Sequence, residues 1–308
     1  MRPGGTWVWL VALLVFALSV GGGMTLASLH FGRTAAMPPS ALPAPTPPPP
    51  HIQTEEPPHP AEPSPEPPSS SQPGAANQPA PMLPLPQGKG ELAIIIDDMG
   101  QNQSGTAELL NIDRPLTFSF LPHTPAFRRE VSEVKDKGQE VFLHLPMQPL
   151  PATGANPGPD AITTAMTDDQ IKARVKELAA TLPEAKGVNN HMGSLATADP
   201  RVMQDVVTIL KTLGLPFVDS RTQPKSIGFE TARAAGLPTA ANSLFIDREH
   251  TVEAVKARLR EAALLAQRHG SAIVIGHPHP VVAQAIREMI PLLDQAGVKL
   301  VFATDLVR

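Results

Sequence analysis

Several aliphatic runs of this sequence end in an aspartate or a histidine. The side chains concerned are, in chain order, Asp97, Asp98, His144, His191, Asp219, His277 and His279. Carboxylate and neutral imidazole are ligands suited to Zn²⁺ and similar ions. A site with two or three such ligands and an open position lowers the pKa of bound water towards about 7, and a free carboxylate nearby can act as general base. These residue types therefore favour metal-assisted hydrolysis.

Each of these residues alone has a simpler structural explanation. Paired acids after a strand are often the N-cap of the next helix, and a lone histidine is more often an ordinary loop residue. Five further histidines are assigned to that ordinary class: His51, His59, His123, His250 and His269. A functional site is favoured because the aspartates and histidines named first all lie at or just after the ends of predicted strands. In parallel α/β proteins the functional residues gather where strands end and loops begin.

Short apolar runs alternate along the chain with segments of helical periodicity. Strands are predicted at 92–96, 116–121, 140–143, 187–189, 216–218, 272–275 and 298–303, and helices at about 102–111, 124–136, 168–181, 199–213, 251–269 and 279–296. Alternating β and α elements with aliphatic strands predict a parallel sheet covered by helices. The predicted fold class is therefore α/β, and about seven strands in one domain favour a barrel, open or closed.

The first 36 residues are predicted to form a membrane anchor. After Arg2, an apolar run extends from Trp7 to Leu29 with no charged side chain until Arg33. This run is long enough to span, since about 20 helical residues cross the apolar core of a bilayer. A cleaved signal peptide is the alternative, although its apolar region usually has about 7–15 residues. An uncleaved anchor predicts a single-pass protein of the inner membrane with its C-terminal domain in the periplasm.

Residues 37–87 are predicted to be a disordered linker. They contain 20 of the 37 prolines and too few large apolar side chains to offset the entropy of folding. An extended polyproline-II spacer could reach on the order of 150 Å. A ligand for a proline-recognising partner domain is the alternative. The folded domain is then predicted to comprise residues 88–308.

The composition excludes two classes of site. A net charge of −4 and a pI near 6.2 leave no basic footprint, so no nucleic-acid partner is expected. The chain contains no cysteine, so it has neither disulfide bonds nor a thiolate metal site.

Residues 91–305 resemble the divergent polysaccharide deacetylases, a branch of the NodB-like carbohydrate esterases. The resemblance is carried, in chain order, by IIDDMG, FLHLPMQP, GVNNHMGS, FVDSRT and IVIGHPHP. It implies a NodB-like (β/α) barrel of about seven parallel strands that binds a divalent metal, with zinc the expected ion.

The resemblance also implies roles for individual residues. Asp97 matches the catalytic base, Asp98 a metal ligand, and His144 the first histidine of the family's metal motif. His191 is expected to supply a further ligand, and His277 matches the histidine that protonates the leaving amine. The remaining members of the predicted site are supporting residues, namely Gln148, Asn190, Asp219, Arg221 and His279.

Two positions depart from the family's mainstream pattern. Gln148 stands where the metal motif has its second histidine, and an amide replaces imidazole poorly on zinc. Residues 189–193 stand where the mainstream motif has an arginine that steadies the base, and Arg221 is the candidate to replace that arginine.

The implied activity is metal-dependent hydrolysis of an N-acetyl group on an envelope glycan such as peptidoglycan. The departures from the pattern leave open a non-catalytic glycan-binding or scaffold protein on a degenerate deacetylase barrel. The linker leaves open a third hypothesis, an interaction module of the envelope or division machinery.

Overall fold

A curled parallel sheet carries the polar residues considered above. The structure is a computed structural model, and it describes residues 84–308. Its strands are β1 (Gly90–Met99), β2 (Thr117–Phe120), β3 (Glu140–Met147), β4 (Gly187–Met192), β5 (Phe217–Asp219), β6 (Thr239–Ala241), β7 (Leu244–Phe245), β8 (Ser271–Gly276) and β9 (Val298–Val301). Its α-helices are α1 (Thr106–Leu110), α2 (Phe127–Asp136), α3 (Asp168–Thr181), α4 (Pro200–Leu213), α5 (Gly228–Ala234), α6 (Val252–His269) and α7 (Pro280–Ala296).

The pairing of the strands explains the curl of the sheet. Strand order is β6-β5-β4-β3-β2-β1-β8-β7, every pair is parallel, and β9 pairs with the first residues of β1. Only Asn242 and Ser243 separate β6 from β7, which lie on opposite edges of the sheet. Since two residues span only a few ångströms, the two edges must lie close together, and the sheet forms a curled half-barrel.

The two faces of the sheet bury different sets of side chains. Leu92, Ile94 and Ile96 on β1 pack in the larger apolar cluster, which also contains the buried faces of the helices. Ala93 and Ile95 pack in a smaller cluster inside the curled sheet. This alternation follows from the two-residue period of a strand. Both faces are therefore apolar, as the uninterrupted aliphatic run of β1 predicts.

Side-chain caps fix the starts of the long helices α3 and α4. Thr167 accepts a hydrogen bond from the backbone N–H of Gln170, and the Gln170 side chain accepts one from the backbone N–H of Thr167. This capping box begins α3 at the predicted position. The Asp199 side chain caps α4 by accepting hydrogen bonds from the backbone N–H groups of Arg201 and Val202.

The predicted α/β class with parallel strands is confirmed. All seven predicted strands and six predicted helices have counterparts, and β6, β7 and α5 were not predicted. Their lengths of three, two and seven residues are too short to show a clear periodicity.

The predicted membrane anchor and most of the predicted linker lie outside the described residues. The last residues of the predicted linker, 84–87, lie against the domain, where Pro84 and Pro86 accept hydrogen bonds from α6 and Leu85 is buried. Within residues 84–308, no helix combines the length and the apolar character that crossing a bilayer requires.

Candidate metal and catalytic site

Polar side chains replace apolar ones on the inner face of the sheet where its central strands end. Ile95 on β1 and Phe142 on β3 pack inside the curled sheet, so alternation places Asp97 and His144 on the same face. The inward-facing polar residues at the strand ends are Asp97, Ser119, His144, Asn189, Ser220 and His277. The curl of the sheet brings them to one place.

Asp98, His144 and His191 converge so closely that they could hold a metal ion. Asp98 Oδ1 lies 2.9 Å from His191 Nδ1 and 3.3 Å from His144 Nε2. The two imidazole nitrogens are 3.2 Å apart. Within the described part of the chain, this is the one group of three or more such side chains whose ligand atoms lie within 4.8 Å of one another.

A local distortion of β1 turns Asp98 into the site. Neighbouring side chains on a regular strand point to opposite faces, so Asp97 and Asp98 could not both reach the same centre. The register with β2 shifts between Ile96 and Met99, and Asp98 has a left-handed φ of 57°. This region of backbone space is costly for a residue other than glycine, and residues held in it cluster at functional sites.

The hydrogen bonding of Asp98 fits a cation at this centre. Its Oδ1 atom is buried and makes no hydrogen bond of acceptable geometry, although two imidazole nitrogens lie close to it. Burial raises the pKa of Asp98, but the imidazoles of His144 and His191 outweigh burial and hold it well below its usual range. A carboxylate oxygen and two imidazole nitrogens that face one another are the donor set of many catalytic zinc sites.

Asp97 lies beside this group. Its Oδ2 atom is 3.5 Å from His144 Nε2, and its Oδ1 atom accepts a hydrogen bond of 2.8 Å from Asn189 Nδ2. Burial raises the pKa of Asp97 above its ordinary value, and the nearby His144 and His277 only partly oppose this effect. A buried carboxylate with a raised pKa is suited to accept a proton.

His277 completes the site from the opposite side and is held by a residue that the sequence did not reveal. Asp247 Oδ2 accepts hydrogen bonds from the backbone N–H of His277 at 2.6 Å and from its Nδ1 at 3.0 Å. His277 Nε2 lies 3.9 Å from Asp98 Oδ2. Burial lowers the pKa of His277, but the hydrogen bond and charge of Asp247, with Asp97 and Asp98, raise it to about 9.

Three of the predicted supporting residues hold loops. Gln148 Oε1 accepts hydrogen bonds from the backbone N–H and the hydroxyl of Thr164, at 2.9 Å and 3.1 Å. Asn190 bonds the backbone of Met192 and Ser220. Asp219 faces away from the interior and accepts bonds from Arg221, Ser226 and Phe229. None of these bonds reaches the metal-ligating atoms.

The suggestion that Arg221 steadies the base is not supported by its contacts. Its guanidinium group is exposed and pairs with Glu230 at 3.3 Å. No hydrogen bond or ion pair within residues 84–308 joins it to Asp97; Asn189 makes that contact instead. His279 begins α7 as its N-cap residue, and its ring lies 4.7 Å from the ring of His250.

Two cavities flank the site. One of about 430 Å³ lies beside Asp98 and His191 and is walled by residues 156–160. The other, of about 370 Å³, lies beside His277 and includes Phe245 and Arg248. A separate cavity of about 640 Å³ lies beside Glu140 at the opposite ends of the strands and contains none of the candidate site residues. The candidate site is therefore assigned to the carboxyl ends of the strands by the chemistry of its side chains and not by the volume of a cavity.

Two proteins are similar in sequence to much of this chain. A protein of Haemophilus influenzae is 35% identical over 192 residues, which is 62% of this chain and 68% of that protein. YibQ of Escherichia coli is 31% identical over 219 residues, 71% of this chain and 68% of its own. Both relatives bear the name uncharacterized protein.

A similar fold is present in a crystal structure of an uncharacterized protein from Agrobacterium tumefaciens C58. That structure aligns with a TM-score of 0.67 at 24% identity and covers 72% of this chain and 90% of the other. The sequence pattern of the divergent polysaccharide deacetylases matches residues 94–307, more than half of the chain and nearly all of the described domain. The chain therefore belongs to the divergent polysaccharide deacetylase family.

Proposed function

We propose that this protein is a metal-dependent deacetylase that removes N-acetyl groups from an envelope polysaccharide. The observation that carries the proposal is the convergence of Asp98, His144 and His191 beside a buried carboxylate, Asp97, and a paired imidazole, His277. We propose zinc as the ion, since a site with two imidazoles, one carboxylate and an open position is typical of zinc hydrolases.

The roles of the residues follow from their positions. A divalent cation bound to Asp98, His144 and His191 would supply Lewis-acid polarisation of the acetamide carbonyl and acidify water. Asp97 takes a proton from the attacking water. His277, which its raised pKa keeps protonated at neutral pH, donates a proton to the nitrogen as the C–N bond breaks. The products are acetate and a free amino sugar, so one water is consumed for each amide cleaved.

The alternative function is a non-catalytic glycan-binding protein. It rests on two departures from the family pattern, one at Gln148 and one at residues 189–193. The missing histidine at Gln148 counts less against the enzyme because His191 can supply a ligand in its place. Its Nδ1 atom lies 2.9 Å from Asp98 Oδ1. The missing arginine at residues 189–193 counts less because Asn189 donates a hydrogen bond to Asp97. Both observations favour the enzyme.

The substrate class and the location belong to the same proposal. A single-pass anchor in the inner membrane would place the domain in the periplasm, with peptidoglycan or another envelope polysaccharide as substrate. Protease added to spheroplasts should then digest the domain. Protection of the domain until the membrane is broken would contradict this location.

Acetate release tests the activity. We expect the zinc-loaded full-length chain to release acetate from purified peptidoglycan or from chitin oligosaccharides. Asp97→Asn should lower the rate by about 10²- to 10⁴-fold, the usual contribution of a general base. Asp113→Asn, which changes an exposed aspartate outside the site, is the matched control and should retain the rate. Zinc-loaded protein with no activity on any acetylated glycan would favour the binding protein.

A further inference from the structure

The side chain of Asn189 connects the candidate base to a candidate metal ligand. It is fully buried and makes contacts in two directions. Its Nδ2 donates to Asp97 Oδ1 at 2.8 Å and to Ser220 Oγ at 3.0 Å. Its Oδ1 accepts from Ser119 Oγ at 2.5 Å and lies 3.1 Å from His144 Nδ1. These four contacts use the two donors and two acceptor positions of an amide.

The partners fix which end of the amide is oxygen. In the reversed orientation the oxygen would face the carboxylate of Asp97, and two acceptors would meet with no proton between them. The orientation with Nδ2 towards Asp97 is therefore the favourable one. It follows that His144 carries its proton on Nδ1 and donates it to Asn189 Oδ1. His144 Nε2, the atom that faces Asp98, is then free to bind a cation.

The same side chain also fixes the base. Its bond to Asp97 Oδ1 leaves Oδ2 as the oxygen that faces His144 Nε2 and the centre of the site. His144 and Asn189 are paired in the register of β3 and β4, so the sheet itself sets this geometry.

We infer that Asn189 is a positioning residue that sets the tautomer of His144 for metal binding and the orientation of Asp97 for proton transfer. The part of the inference that concerns Asp97 rests on the proposed function. The part that concerns the tautomer of His144 rests on the metal site alone. It also explains how a neutral side chain can hold the base, since no arginine of residues 84–308 forms a hydrogen bond or ion pair with Asp97. Partners of this kind typically change metal affinity by 10- to 100-fold when removed.

Two substitutions separate the two halves of the inference. Asn189→Asp keeps an oxygen to accept from His144 but has no N–H for Asp97. Asn189→Ala removes both contacts. In the full-length chain purified in detergent, zinc affinity is measured by competition with a chromogenic chelator, the Co²⁺ absorption spectrum reports the ligand set, and acetate release reports catalysis.

We expect Asn189→Ala to bind zinc about 10- to 100-fold more weakly. Asn189→Asp should bind zinc at least as tightly as the wild type, with an unchanged Co²⁺ spectrum, but should lose acetate release by at least about 100-fold. Asp113→Asn, which changes an exposed aspartate outside the site, is the control and should resemble the wild type in zinc affinity.

Other results would overturn the inference. A purely structural role predicts that both Asn189 variants lose zinc affinity and thermal stability together. Wild-type affinity in Asn189→Ala would exclude control of the tautomer, and wild-type acetate release in Asn189→Asp would exclude control of the base. Wild-type protein that binds zinc but releases no acetate would refute the proposed activity, and the zinc measurements would still decide the tautomer.

Discussion

At the scale of single residues, the charge on Asp247 determines when His277 can act. A general acid must hold its proton at the working pH. The bond to Asp247 and the nearby carboxylates raise the pKa of His277 to about 9 despite its burial. The imidazolium is therefore the main form at neutral pH, and on the alkaline side the rate should fall as the pH rises past this value.

Asp247→Asn should move the alkaline limit of activity to lower pH. The amide removes the negative charge that favours the imidazolium, so the pKa of His277 falls and the donor loses its proton at a lower pH. The measurement is the pH dependence of kcat/KM for acetate release, which reports the free enzyme. Asp113→Asn should keep the wild-type limit. An unchanged limit in Asp247→Asn would show that His277 is not the proton donor.

Much of the site at this scale could be predicted from the sequence, and strand alternation accounts for the rest. Asp97, Asp98, His144, His191 and His277 lie together as expected. Asp219 follows the inward-facing Val218 and so points outward. Asn189 pairs with His144 across β3 and β4, which could have identified it had the register been known. Asp247 could not be predicted because it follows β7, and a strand of two residues has no detectable periodicity in the sequence.

At the scale of elements, the loop after β3 begins with Gln148, which occupies the position of the second histidine of the family's metal motif. β3 ends at Met147, and Gln148 then closes the loop by accepting two hydrogen bonds from Thr164. Its backbone also pairs with Ile162, Leu195 and Ala196. These hydrogen bonds therefore hold the loop through contacts that do not involve the candidate metal ligands.

Gln148→Ala should lower stability and leave metal binding intact. The change leaves the N–H and hydroxyl of the half-buried Thr164 without their acceptor, and the net loss of a hydrogen bond of this kind costs about 0.5–1.5 kcal/mol. Urea unfolding measures the loss, and chelator competition measures zinc affinity. Thr164→Val removes only the hydroxyl contact and should cost less. Loss of zinc from folded Gln148→Ala would instead identify Gln148 as a ligand.

The long elements could be predicted because their patterns extend over many residues. The aliphatic β1 and the capped α3 have counterparts at the expected places. The short elements β6 and β7 form through pairing with β5 and β8, which are distant in sequence. Tertiary pairing of this kind leaves no local signal.

At the scale of the whole molecule, parallel pairing of the strands assembles the candidate site. Because all the strand pairs are parallel, their carboxyl ends lie at the same end of the curled sheet. Residues from β1, β3, β4 and β8, which are far apart in the chain, thus meet in one site. The alternation of strands and helices predicted this arrangement. The membrane anchor and the proline-rich linker stay predictions, with a reach on the order of 150 Å for the linker.

Metal content tests the central claim most directly. The full-length chain, purified without chelators and supplied with zinc, is compared with Asp98→Ala and His191→Ala by elemental analysis. His269→Ala, which changes an exposed histidine at the end of α6, is the matched control. We predict near-stoichiometric zinc in the wild type and the control and its loss from both site variants. Absence of metal from every form, or equal zinc in all four, would contradict the metal site and the hydrolase built on it.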